Sequence, residues 1–99
     1  MARKLQRSSG NVFRDLGFPA EEAENLRIRA DLMVRVTKVI RDEGLTQAEA
    51  ARVFGVSQPR VSDLVRGKIE LFSIDMLVNM LAKAGLRVTI TARPRKRVA

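Results

Sequence analysis

The chain has no cysteine, no histidine, no tryptophan and no tyrosine, and its aromatic residues are four phenylalanines. Each absence removes a chemistry. Without cysteine there is no disulfide, no thiolate nucleophile and no zinc or iron–sulfur site of the usual kind. Without histidine the commonest general base and transition-metal ligand are missing as well. Hydrolase triads, zinc fingers and redox centres are excluded, so the expectation is a protein that is not an enzyme, with no metal and no cofactor. Long hydrophobic runs are lacking too. The apolar stretches span only a few residues, against the roughly 20 that cross a bilayer. The basic stretch from Met1 to Arg14 is not followed by an apolar run of signal-peptide length. No membrane partner is expected, and the expected location is the cytoplasm.

What is present is positive charge. Ninety-nine residues carry 19 Lys and Arg against 11 Asp and Glu, a net charge of +8, while 45% hydrophobic content suffices for one core. A pI near 11.3 makes a polyanion the natural partner. The charge is also unevenly placed. Residues 1–14 sum to +4, 15–51 to −3, 52–68 to +3, 69–85 to −1 and 86–99 to +5. Excess gathered at both ends and in one central segment resembles a footprint more than general solvation.

The spacing of apolar residues and helix punctuation predicts a mainly α-helical fold. Residues 1–18 read as an arm, partly flexible and mobile from Met1 to Arg7. It is punctuated by Ser8-Ser9-Gly10-Asn11 and docked through Phe13 and Phe18. A long helix starts at Pro19, with Glu21, Glu22 and Glu24 near its positive end and Leu26, Ala30, Met33, Val36 and Ile40 along one face. Gly44 ends it. Thr46 and Glu49 then form a capping box for a helix that stops at Gly55. Ser57 caps the next, with Val56 and Val61 as a hydrophobic staple, Pro59 in the first turn and Gly67 at the end. Ser73 caps a fourth, with Phe72 and Leu77 as a second staple and Gly85 as its stop. The methionines Met33, Met76 and Met80 read as core. Residues 19–92 thus form one domain, and 93–99 a basic tail that either tracks phosphates or is solubility charge. After Gly85 the period changes to 2: Leu86, Val88 and Ile90 alternate with Arg87, Thr89 and Thr91, which reads as a strand.

The informative segment runs from Leu45 to Lys68. Two short helices joined only by Gly55, Val56 and Ser57 must cross steeply. That geometry asks for a small residue where the helices approach, a positive φ at the turn, and apolar filling of the angle. Ala51, Gly55, Val56, Val61 and Leu64 meet these needs at offsets of 4, 8, 9, 14 and 17 from Gln47. The segment resembles the Xre-like, Cro/repressor-type helix-turn-helix domain in its LTQ, its Ala51, its GVSQ and the later VS and GK. The wider chain, with its leading SSGNVF and DLGFP, resembles the HigA-like antitoxins of bacterial toxin–antitoxin pairs. The resemblance implies a compact repressor-like bundle of four to five helices. It also implies a nucleoid-associated bacterial repressor that binds its own operator and neutralises a toxin partner.

The residues alone also point to DNA. With Val61, Leu64 and Val65 taken as buried, the outward face of the second short helix carries Gln58, Pro59, Arg60, Ser62, Asp63 and Arg66. Gln58 and Arg60 stand near the N-terminal end that a recognition helix presents to the major groove. Gln suits adenine N6/N7 and Arg suits guanine O6/N7. Ser62 suits a base or a phosphate. Asp63 suits an ion-pair string with Arg60 and Arg66 better than cytosine readout. Ser57 caps the helix beside these residues. Thr46 and Gln47 open the preceding helix, where backbone amides favour a phosphate, and the resemblance assigns Gln47 the backbone grip. Lys68 is a further phosphate candidate.

A lone strand exposes unpaired amides on both edges. The expected solution is a homodimer in which Leu86, Val88 and Ile90 pair across a two-fold axis, although Asn11 to Phe13 offers an alternative pairing segment. Two-fold symmetry would set two recognition helices roughly 34 Å apart, matching a palindromic double-stranded operator. Two other readings compete: a stand-alone phage-type or regulatory repressor without a toxin, and an interaction protein with a vestigial DNA-binding motif.

Overall fold

A computed structural model describes residues 10–94. The expected mobility of Met1–Arg7 and most of the basic tail fall outside them. Within the described residues five α-helices follow one another: α1 (Val12–Asp15), α2 (Ala20–Asp42), α3 (Gln47–Phe54), α4 (Gln58–Val65) and α5 (Ile74–Lys83), with a 3-10 turn at Ile69–Leu71 between the last two.

The arm is more ordered than its turn-rich sequence suggests. Asn11, read as a loop signal, is an N-cap: its Oδ1 accepts from the Phe13 N–H at 2.9 Å and the Arg14 N–H at 3.3 Å. Its Nδ2 donates to the Ala23 carbonyl oxygen at 3.1 Å, which ties α1 to α2. Phe13 and Phe18 meet edge to face at 6.2 Å. One asparagine side chain thus starts a helix and anchors it, a dual use that turn statistics do not reveal.

α2 is the element on which the others assemble. Its inward stripe is Ala23, Leu26, Met33, Val36 and Val39, and α1, α4 and α5 all pack against it. Its outer face carries surface ion pairs, Arg27 with Glu24 and Asp31, and Lys38 with Asp42. The remaining core comes from Ala50 and Phe54 of α3, Val61 and Leu64 of α4, Phe72, and Leu77, Met80 and Leu81 of α5. In α3 the inward arc runs through Ala50 and Phe54, both enclosed, while Ala51 packs half-buried against the same core.

The helix ends follow local chemistry. Thr46 Oγ1 accepts from the Glu49 N–H at 3.1 Å while Glu49 Oε1 accepts from the Thr46 N–H at 2.8 Å, so the capping box is closed in both directions. Ser57 and Ser73 cap α4 and α5 through the N–H groups of Arg60 and Met76. Gly55 has φ of +70° and leaves α3 in the left-handed conformation, which a residue with a Cβ resists. The Lys83 side chain lies against it.

The C-terminal strand is not formed: residues 86–94 lie outside any helix or strand. The physical reason is the one that made a partner necessary, since a strand needs a second strand and none is present among the described residues. Leu86 and Val88 nonetheless turn onto the core, whereas Ile90 stays 53% exposed.

Two measurements check this account. Phe54→Ala, which empties one of the largest fully buried positions, should cost about 3–5 kcal/mol in chemical denaturation. The second concerns pH. Hydrogen bonds from the Thr46 backbone and hydroxyl hold the Glu49 carboxyl below its ordinary value. A depressed carboxyl contributes stability above its unfolded pKa and loses it as the pH falls through the folded one. Glu49→Gln should therefore flatten the loss of thermal stability below about pH 4.3, followed by circular dichroism.

Candidate nucleic-acid interface

Two eight-residue helices, α3 and α4, are too short to persist alone and hold their shape through caps and one shared core. Their N-termini differ in what they offer a phosphate. In α3 the side chain of Thr46 takes the N–H of Glu49, which leaves the first-turn amides of Gln47 and Ala48 without an intrahelical partner. The Glu49 carboxylate lies at the same end and is bonded to the Thr46 N–H. In α4 Pro59 has no N–H and that of Arg60 is bound by Ser57, so Gln58 alone has a first-turn amide not committed to the helix.

The predicted site residues fall into three groups. Thr46, Gln47, Ser57, Gln58, Pro59 and Arg66 are exposed. Ser62, Asp63 and Lys68 are half-buried, and the last two are tied together. The Lys68 N–H donates to the Asp63 carbonyl oxygen at 3.1 Å, and Lys68 Nζ stands 3.8 Å from the Asp63 carboxylate. The expected string through Arg60, Asp63 and Arg66 gives way to this single pair, because the chain folds back after Gly67 and brings Lys68 over the end of α4.

Arg60 forms the third group alone. Its guanidinium lies back against the protein surface, where Nη1 donates to the Leu71 carbonyl oxygen at 3.1 Å in an exposed bond and the carbon between the nitrogens stands 5.5 Å from the centre of the Phe72 ring. Val65, expected inside, is instead 39% exposed. These two departures share one origin. At about 100° per residue, Arg60 and Val65 lie on opposite flanks of the arc centred between Val61 and Leu64, each about 70° from that centre. The helix is rolled so that the Arg60 flank faces the protein and the Val65 flank opens outward. A sequence pattern places both residues at the boundary and cannot say which way the helix rolls.

The rolled-in flank lands on residues that sequence reading missed as part of the site. Leu71 and Phe72 belong to the connection between α4 and α5, and their approach to Arg60 is a long-range contact with no local signal. Arg29 of α2 reaches the same connection from the other side, donating through Nη1 to the carbonyl oxygens of Ile69 and Phe72, both at 3.3 Å. Its Nε donates to Asn25 Oδ1 at 2.8 Å.

Leu86 and Val88 are half-buried against the core and Ile90 is exposed beyond them. Among the described residues, no group of three or more potential ligands is gathered to hold a metal ion, and no helix is long and apolar enough to cross a membrane.

A comparison with curated proteins gives no match. A family described as a helix-turn-helix domain matches residues 12–93, which takes in every helix from α1 to α5 together with the segment that follows. With α3 and α4 forming the two short helices and Gly55 to Ser57 the turn between them, the chain belongs to this helix-turn-helix family and is a DNA-binding protein of that class.

Proposed function

We propose that the chain is a homodimeric, sequence-specific repressor of a palindromic double-stranded operator, and that it serves as the antitoxin of a toxin–antitoxin pair whose operon it regulates. It acts by binding and not by catalysis. The observation that carries the DNA-sequence reading is the exposed first turn of α4, where Gln58 has an open side chain and the only uncommitted first-turn amide. Such a turn reaches base edges when the helix enters the major groove, and a Gln matches adenine N6/N7 in a bidentate way. Ser62 and Arg66, which follow on the outward arc, extend the contact along the groove or to its phosphates. Thr46 and Gln47 face the backbone from the start of α3, and Lys68 adds a phosphate contact for which Asp63 competes.

Dimerisation rests on the segment after α5. Leu86 and Val88 cover the core while Ile90 is left in water, and residues 86–94 have no strand partner among the described residues. Pairing with the same segment of a second copy would satisfy the backbone and cover Ile90. The antitoxin role rests on the resemblance of the wider sequence, and a small toxin gene beside this one is what it requires.

Selection of bound DNA from a random pool tests the main reading directly. The expected product is a palindrome with half-sites about one helical turn apart; recovery of no preferred sequence would remove the repressor reading. On the selected site, Gln58→Ala should cost about 1–3 kcal/mol and relax one base position. Lys68→Ala should instead reduce the slope of log affinity against log salt by roughly one. Removing residues 86–99 should convert the dimer to a monomer in solution mass measurements, and an unchanged mass would exclude pairing through this segment.

A further inference from the structure

The connection between α4 and α5 holds only a 3-10 turn, in which the Ile69 carbonyl oxygen accepts from the Phe72 N–H at 3.2 Å, so its carbonyl groups keep bonding capacity that no α-helix fills. Three of them, from Ile69, Leu71 and Phe72, are taken by two arginines on different helices. Arg29 grips from α2, the long helix against which the bundle packs. Arg60 grips from α4, the helix that carries the reading residues. Phe72 is 1% exposed and sits between them as a fixed platform, held in the core with Leu77. A guanidinium above an aromatic face and bonded to a carbonyl has both its direction and its plane defined.

We propose that Arg60 is a positioning residue, and not a reader of bases. Through Leu71 and Phe72 it fixes the roll of α4 against a connection that Arg29 anchors to α2. In this roll Gln58, Ser62 and Arg66 face outward. Were Arg60 to swing to a guanine, it would give up the Leu71 carbonyl and the Phe72 ring together, and α4 would lose a contact that refines the roll its buried Val61 and Leu64 allow. Base preference therefore resides in the uncommitted residues of the outward arc, while Arg60 determines whether they arrive at the groove together. This rests on the DNA-binding reading for its consequence, but not for the contact itself.

The contact is tested first without DNA. In side-chain nitrogen–proton NMR of the whole chain, the Arg60 guanidinium should show a ring-current shift from Phe72 and restricted rotation about its terminal carbon–nitrogen bonds. The exposed Arg52 supplies the reference. An Arg60 that behaves like Arg52 overturns the proposal whether or not the protein binds DNA. On addition of the selected operator the shifted signal should persist; its loss on binding would make Arg60 a reader and overturn the proposal. The binding profile gives the second arm, measured at a temperature where circular dichroism shows each variant folded. Arg60→Met should weaken binding by roughly tenfold at every operator position alike, leaving base preferences unchanged. Arg60→Lys, which keeps a cation for the Phe72 face, should recover part of that loss. Relaxation confined to one base pair, or unaltered affinity in the folded Arg60→Met protein, would refute the assignment. A wild-type chain that selects no DNA removes the repressor reading, and the clamp is then decided by the free-protein spectrum.

Discussion

One small core holds the helices in place, and the most enclosed side chains come from five separate parts of the chain: Val36 from α2, Phe54 from α3, Val61 and Leu64 from α4, Phe72 from the connection that follows, and Leu77 and Leu81 from α5. None of the short helices is stable by itself. Their direction is set where their apolar stripes meet, so the angle between α3 and α4 depends on Phe54 and Leu64 as much as on the turn that joins them. The turn permits the angle, through the positive φ of Gly55, and the core selects it. A domain with so few buried residues has little stability to spare. That explains the closed capping box on α3 and the serine caps on α4 and α5, each of which satisfies amides that would otherwise compete for water.

The local features of this architecture are legible in the sequence and the relational ones are not. Thr46, Ser57 and Ser73 announce helix starts because capping is a contact between residues three apart. Gly44, Gly55, Gly67 and Gly85 announce stops for an equally local reason. The roll of α4 is of another kind. Val61 and Leu64 identify the buried arc, but Arg60 and Val65 border it symmetrically, and the choice between them is made by Leu71 and Phe72, which lie well beyond the helix in sequence. Asp63 met the same difficulty: spacing offered two arginines on its own helix, and the fold supplied Lys68 from the following loop. In the arm, composition marked Asn11 as turn chemistry, whereas its second bond, to the Ala23 carbonyl, exists only once α2 is in place.

The alternating pattern after Gly85 shows how a local signal can be present without its structure. Alternation records which residues face apolar surroundings, and Leu86 and Val88 do so here. A strand also requires hydrogen bonds from a neighbour, which a period of 2 does not provide. For the interface, the apolar pattern of Val61 and Leu64 places Gln58 on the outward side of α4, and Gln58 is exposed there. Arg60 differs because an arginine long enough to reach a base is also long enough to reach the protein behind it. Which of these happens depends on whether an acceptor and an aromatic face are within range.

The clamp has a consequence for the speed of encounter as distinct from the geometry of the complex. An arginine paired with a carboxylate, as Arg27 is with Glu24 and Asp31, contributes little field at a distance. Arg29 and Arg60 are bonded to carbonyl groups, which are neutral, so their charges remain uncancelled by those partners while their positions are fixed. The charge of Arg60 accordingly stands beside the positive end of the α4 dipole with less side-chain freedom to lose when a polyanion approaches. Fixed charges of this kind steer diffusing partners before contact is made. A side chain held against its own protein can thus still hasten the arrival of a polyanion.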